Sequence, residues 1–153
     1  MDKLTEENYV VIAEKAIKEW VNELNNKGEK TRGNQFNGNH EKNAKQSVKK
    51  IIPKMVSTSK IRNLLAITAA IYNDVIVCQT DELSPEIVGR INYMKVRFVY
   101  EAGREPSVKK LVTQAHILEH IDEIGNSRKQ YILFSRYMEA LVAYRKFYGG
   151  KDE

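Results

Sequence analysis

Val10, Ala13, Ile17, Trp20, Val21 and Leu24 recur at steps of three and four, one face of a 3.6-residue period. That spacing predicts a helix from Thr5 to about Lys27, with Gly28 as its C-cap. Residues 28–40, GEKTRGNQFNGNH, are rich in Gly and Asn and nearly free of apolar anchors, so they read as a flexible loop. A short helix fits Glu41 to Ile52, ended by Pro53. The next stripe, Ile61, Leu64, Leu65, Ile71, Tyr72, Val75 and Ile76, gives a helix from Thr58 to about Val77. Ser84-Pro85-Glu86 opens another, with Pro at the first helical position and Ile87, Val88, Ile91, Met94 and Phe98 inward as far as Gly103. Pro106 starts a helix running to Gly125, with Leu111, Ala115, Leu118 and Ile121 inward. Asn126 and Ser127 cap the last helix, whose Tyr131, Phe134, Tyr137, Met138, Leu141, Val142 and Tyr144 lead to Gly149-Gly150. No stretch alternates convincingly with period two. The pattern predicts an all-α fold: a compact bundle of five long helices, with or without the short one, forming a single domain over residues 1–153.

Composition narrows the chemistry. The longest apolar stretch, Leu64 to Val77, is broken by Thr68, Asn73 and Asp74, which is too polar to span a bilayer. MDKLTEEN has no apolar signal core, so the expected location is the cytoplasm. One cysteine, Cys78, excludes an internal disulfide and a cysteine-rich zinc site, and its place in an apolar helix predicts a buried, inert thiol. His116 and His120 are four apart, but the zinc-peptidase motif needs Glu where Ile117 stands, and only His40 is left as a further His or Cys ligand besides Cys78. Gly33 and Gly38 have the spacing of a phosphate-binding loop, yet Asn39 and His40 replace its Lys and hydroxyl residue. No Ser or Cys lies in a nucleophile motif. The expectation is a protein with no catalytic activity, cofactor or metal.

Charge placement is more informative than the net charge of +5. From Lys42 to Arg62 there are seven basic residues and no acid, which leaves 18 basic against 20 acidic residues elsewhere. That run leads into VSTSKIRNLL, residues 56–65. Ser57, Thr58 and Ser59 are N-cap residues, and Lys60 and Arg62 follow them in a first turn that ordinarily favours acids. Orphan N–H groups, hydroxyls and adjacent cations together make an anion site. Asn126-Ser127-Arg128-Lys129 repeats the arrangement, so two basic helix starts could grip two points on a phosphodiester backbone. Three functions stay open on these residues: RNA binding, a helical DNA-binding regulator, and a protein-only adaptor with a solvated basic face.

STSKIRNLL, YEAGR (Tyr100 to Arg104) and FSRYMEALVAYRKFYGGKD, in matching order between about Val48 and Asp152, resemble the small subunit of type III-A CRISPR effector (Csm) complexes. The resemblance implies an all-helical, non-catalytic protein whose copies stack beside a filament of backbone subunits, along guide RNA and target RNA. It also implies that RNA cutting belongs to the backbone subunit, and DNA cleavage and cyclic oligoadenylate synthesis to a large polymerase-like subunit. In that setting base pairing supplies sequence recognition, and the protein needs mainly cations and backbone donors. The expected RNA contacts are Lys60 and Arg62, with Ser57, Thr58 and Ser59 beside them and Lys49, Lys50 and Lys54 extending the track. Arg104, at the exposed end of YEAGR, joins them, as do Arg97, Arg128 and Lys129. Arg136 and Arg145 are expected at contacts between subunits.

Overall fold

The computed structural model describes residues 1–32 and 52–149. Six helices follow one another in these residues: α1 (Tyr9–Arg32), α2 (Thr58–Ile76), α3 (Pro85–Arg104), α4 (Pro106–Gln114), α5 (Ile117–Ile124) and α6 (Arg128–Tyr148). Helix α6 packs against α1, α2 and α5, while α3 bridges α2 to α4 and α5. Tyr131, Phe134, Tyr137, Met138 and Leu141 of α6 are buried, as expected from their spacing. Phe98 of α3 meets Phe134 edge-on, with ring centroids 6.4 Å apart. An isolated antiparallel bridge, Glu82 to Ser127, ties the α2–α3 loop to the start of α6. No helix of the described residues is long and apolar enough to cross a membrane.

Hydroxyl caps set the helix starts. Ser57, Ser84 and Ser127 each accept a bond from the N–H three residues on, at 3.2, 3.3 and 3.2 Å. Thr5 and Asn8 cap each other reciprocally: Asn8 N–H donates to Thr5 Oγ1 at 3.2 Å, and Thr5 N–H to Asn8 Oδ1 at 2.8 Å. The first helix was expected from Thr5; residues 6–8 form a turn closed by this pair, and the α-helix starts four residues later, at Tyr9.

Four expectations need correction. Helix α1 runs through Gly28 to Arg32, because one glycine costs only about 1 kcal/mol in a helix and Glu29, Lys30 and Arg32 favour its continuation. The expected helix from Pro106 to Gly125 is two helices, divided at His116, whose φ of 51° is left-handed. Cys78 lies just beyond α2 and is half-buried, its Sγ 3.2 Å from Asp74 O. Val10 and Ile76, expected inward, are exposed. The short helix over 41–52 lies outside the described residues except for Ile52, which is not helical.

The division at His116 has a visible cause. Tyr137 Oη donates to Ala115 O at 2.8 Å, satisfying a carbonyl that a continuous helix would have bonded. The change of direction lets Ala115 and Ile117, two residues apart, both reach the core. Tyr137→Phe removes the buried donor and leaves Ala115 O unpaired, so it is expected to cost ~1–2 kcal/mol. The denaturant midpoint measures that loss; a Tyr137→Phe midpoint equal to wild type would mean the bond does not hold the break.

Candidate nucleic-acid interface

Helices α2 and α3 enclose a surface groove of about 460 Å³ lined by Lys60, Asn63, Ala66, Arg97, Glu101 and Arg104, among others. It continues into a more apolar section of about 380 Å³ lined by Ala70, Gly89, Arg90, Tyr93 and Arg97, among others. The groove is open beside Gly89, where an added Cβ would meet no atom of the described residues within 4 Å. Arg90, Arg97 and Arg104 are seven residues apart, so they line one edge of α3 at steps of about 10.5 Å.

Three of the expected contacts, Lys60, Arg97 and Arg104, are therefore brought together although 44 positions separate Lys60 from Arg104 in sequence. The structure also adds Arg90, which sequence reasoning missed. Its signal was present in the seven-residue arginine spacing along a predicted helix. Arg90 pairs with Asp74 and donates to Ala70 O at 3.3 Å. Arg104 lies 3.7 Å from Glu101 and over the Tyr100 ring, while Arg97 is exposed and has no ion-pair partner among the described residues.

The charge at the α2 start is not unopposed, as the local sequence suggested. Lys60 Nζ lies 2.8 Å from Glu105 Oε2, supplied by the α3–α4 junction. Their side chains are 40% and 39% exposed, so the pair is worth ~0–1 kcal/mol and can be shared with a phosphate at little cost. Ser57 is the N-cap, Thr58 opens the helix, and Ser59 and Arg62 are exposed but do not line the groove. Lys54 is exposed beside a separate recess at the same helix start. Lys49 and Lys50 lie outside the described residues.

Arg128 and Lys129 are not brought to this site. Arg128 donates through Nε to Val75 O at 3.2 Å and through Nη2 to Ile76 O at 3.0 Å, so its guanidinium caps the C-terminus of α2. Fifteen residues separate Lys60 from Val75 along that helix, a rise of about 23 Å. Lys129 borders a surface depression that also holds Glu6 and Glu7. Arg136 is exposed, but Arg145, expected at a subunit contact, points inward, 2% exposed, with Nε 2.5 Å from Val56 O. His116 is exposed, whereas His120 is fully buried with Nδ1 3.0 Å from Glu123 Oε2.

Arg145 explains the first glycine of the Tyr-Gly-Gly ending. A Cβ at Gly149 would lie 1.9 Å from Arg145 Nη1 and 2.3 Å from Arg145 O. Gly149→Ala is thus expected to destabilise by ~1–3 kcal/mol, through displacement of a buried guanidinium. Thermal melting with unchanged far-UV dichroism at low temperature would register it; an unaltered midpoint would show that the terminus yields freely.

The family model described as Csm2 Type III-A matches residues 30–151. A protein of Streptococcus thermophilus named "CRISPR system Cms protein Csm2" is 40% identical over 149 residues, covering 97% of this chain and 98% of that one. A protein of the same name from Mycobacterium tuberculosis (strain CDC 1551 / Oshkosh) is 39% identical over 98 residues, 64% of this chain and 79% of its own. Another from Enterococcus italicus is 37% identical over 95 residues, 61% of this chain and 68% of its own.

Proposed function

The chain belongs to the type III-A Csm2 family, and we propose that it is a non-catalytic small subunit of an RNA-guided interference complex, holding RNA by its sugar–phosphate backbone. The groove between α2 and α3 carries this reading: Lys60, Arg90, Arg97 and Arg104 line its edges, and alanines and a glycine leave it room for a strand. Its cations engage acids through weak, exposed pairs, so phosphates can take those places without unfolding anything. No row of base-reading side chains follows Asn63 along α2, which favours backbone contact over groove readout of DNA.

Guide RNA and target RNA are the proposed ligands, in the cytoplasm, with the backbone subunit, the large polymerase-like subunit and further copies of this chain as protein partners. Tyr93, Val96 and Tyr100, spaced by three and four on α3, are 65%, 59% and 62% exposed and offer an apolar strip for such packing. His120, the side chain with the most obvious chemistry, is held inside the core by Glu123 and by the edge of Tyr137.

Photo-crosslinking tests the assignment in the assembled complex. RNA carrying photoreactive nucleotides is expected to crosslink to peptides of α2 and α3 that contain Lys60, Arg97 and Arg104. Crosslinks confined to α1 and α6 would place the RNA elsewhere and overturn the groove.

A further inference from the structure

A guanidinium stays charged at any pH a protein survives, so burying one is costly unless its N–H groups are bonded. Arg145 is 2% exposed and gives its Nε to Val56 O, yet its Nη1 is buried with no partner among the described residues. Val56 immediately precedes the N-cap of α2, and Gly149, across from it, passes close enough to Nη1 that no Cβ would fit. The guanidinium therefore sits at the edge of the recess formed by Lys54, Ser57, Lys60, Ser107, Arg145 and Gly149, a space of about 560 Å³.

Two helix starts meet there. Helix α2 begins after Ser57, and α4, nine residues long, has Ser107 at its second position and, among the described residues, no side-chain cap on its N-terminus. Both ends present partial positive charge. Among the described residues no carboxylate lines the recess; Glu105, outside it, pairs with Lys60 through a weak, half-exposed contact, which Lys60 gives up or shares on meeting an anion.

We propose that this recess binds one phosphate group, with Lys54 and Lys60 supplying charge, Ser107 donating its hydroxyl, and Arg145 Nη1 bonding the anion once Gly149 shifts aside. The site is separate from the α2–α3 groove except for Lys60, which borders both. Its natural occupant, an internal phosphodiester, rests on the RNA reading above.

The full chain, labelled for amide and arginine side-chain N–H resonances, is titrated with inorganic phosphate. It is then titrated with an oligoribonucleotide bearing a 5′-hydroxyl and the same strand bearing a 5′-phosphate. Arg145 stays in place because truncating it would disturb the core; the variant is Lys54→Ala/Ser107→Glu, which changes an exposed and a half-buried position outside the core. Inorganic phosphate is expected to give saturable shifts at the Lys60 and Ser107 amides and at Arg145 Nε–H, all lost in the variant. The 5′-hydroxyl strand should reproduce them, with affinity about tenfold lower in the variant. Linear shifts spread over all surface lysines would overturn the site. Saturation by the 5′-phosphate strand alone would overturn the phosphodiester assignment. If RNA binds wild type and variant equally while groove substitutions weaken it, the recess fails and the RNA reading stands. If inorganic phosphate saturates the recess but neither strand binds, the recess stands and the RNA reading fails.

Discussion

Trp20→Ala is expected to lower stability by ~3–5 kcal/mol, more than either Tyr137→Phe or Gly149→Ala. Trp20 is fully buried between α1 and its neighbours, and its Nε1–H donates to Pro53 O at 3.1 Å. That bond ties the segment leading into α2 to α1. Alanine removes the ring, leaves a cavity, and strips Pro53 O of its donor. Total stabilities are typically ~5–15 kcal/mol, so the variant should lie near the folding threshold at moderate temperature. Trp20→Phe keeps much of the apolar area and loses chiefly the N–H, so it should cost markedly less. Denaturant titration followed by far-UV dichroism orders the three proteins. An alanine variant within ~1 kcal/mol of wild type would mean that the site relaxes around the gap, contrary to its fully buried packing.

The same residue shows what the sequence made legible. Trp20 stands on a stripe of regular period, as do Ile91, Met94 and Phe98 on α3 and Phe134, Met138 and Leu141 on α6, and all of these are buried. Period and hydroxyl caps together sufficed for the starts after Ser57, Ser84 and Ser127. The division of α4 from α5 was harder to see, because Leu111, Ala115 and Leu118 fit one continuous face. The clue lay in Ile117, which is out of phase with that face yet buried. Buried polar residues, Thr68, Gln130 and Arg145, escaped a pattern built on apolar positions. Each is placed by tertiary or local bonding: Thr68 Oγ1 to Leu64 O, Gln130 to Leu4 O and Arg145 to Val56 O. The candidate site was legible at Lys60 and Arg104 but not as a groove, since the two meet only when α3 packs along α2. Glu105 was missed as the partner of Lys60 for the same reason.

The second large effect concerns RNA. Lys60→Ala/Arg97→Ala/Arg104→Ala removes three cations from one groove and should weaken binding of unrelated RNAs alike, by about two orders of magnitude at low salt. Wild-type affinity is expected at a Kd on the order of 10⁻⁴ to 10⁻⁶ M near physiological salt, the range for contacts made to backbone alone. In a complex, neighbouring copies raise the effective concentration, so weak single contacts suffice. The fold should tolerate the change. Arg97 has no ion-pair partner among the described residues, and the pairs of Lys60 with Glu105 and Arg104 with Glu101 are exposed and worth ~0–1 kcal/mol each. A melting point that collapses in the triple variant would make these cations structural and remove them from the interface.

The salt dependence of RNA binding tests the central claim most directly. Log Kd against log salt is measured for wild type, for the triple groove variant, and for a charge-matched control, Lys3→Ala/Lys18→Ala/Lys129→Ala, whose residues are exposed and do not line the groove. If the groove between α2 and α3 holds the backbone, the groove variant loses about 0.7 of slope per lost contact on single-stranded RNA, about two in all, while the control keeps the wild-type slope. Equal losses of slope in the two variants would show that RNA responds only to net charge, and the groove would not be its binding site.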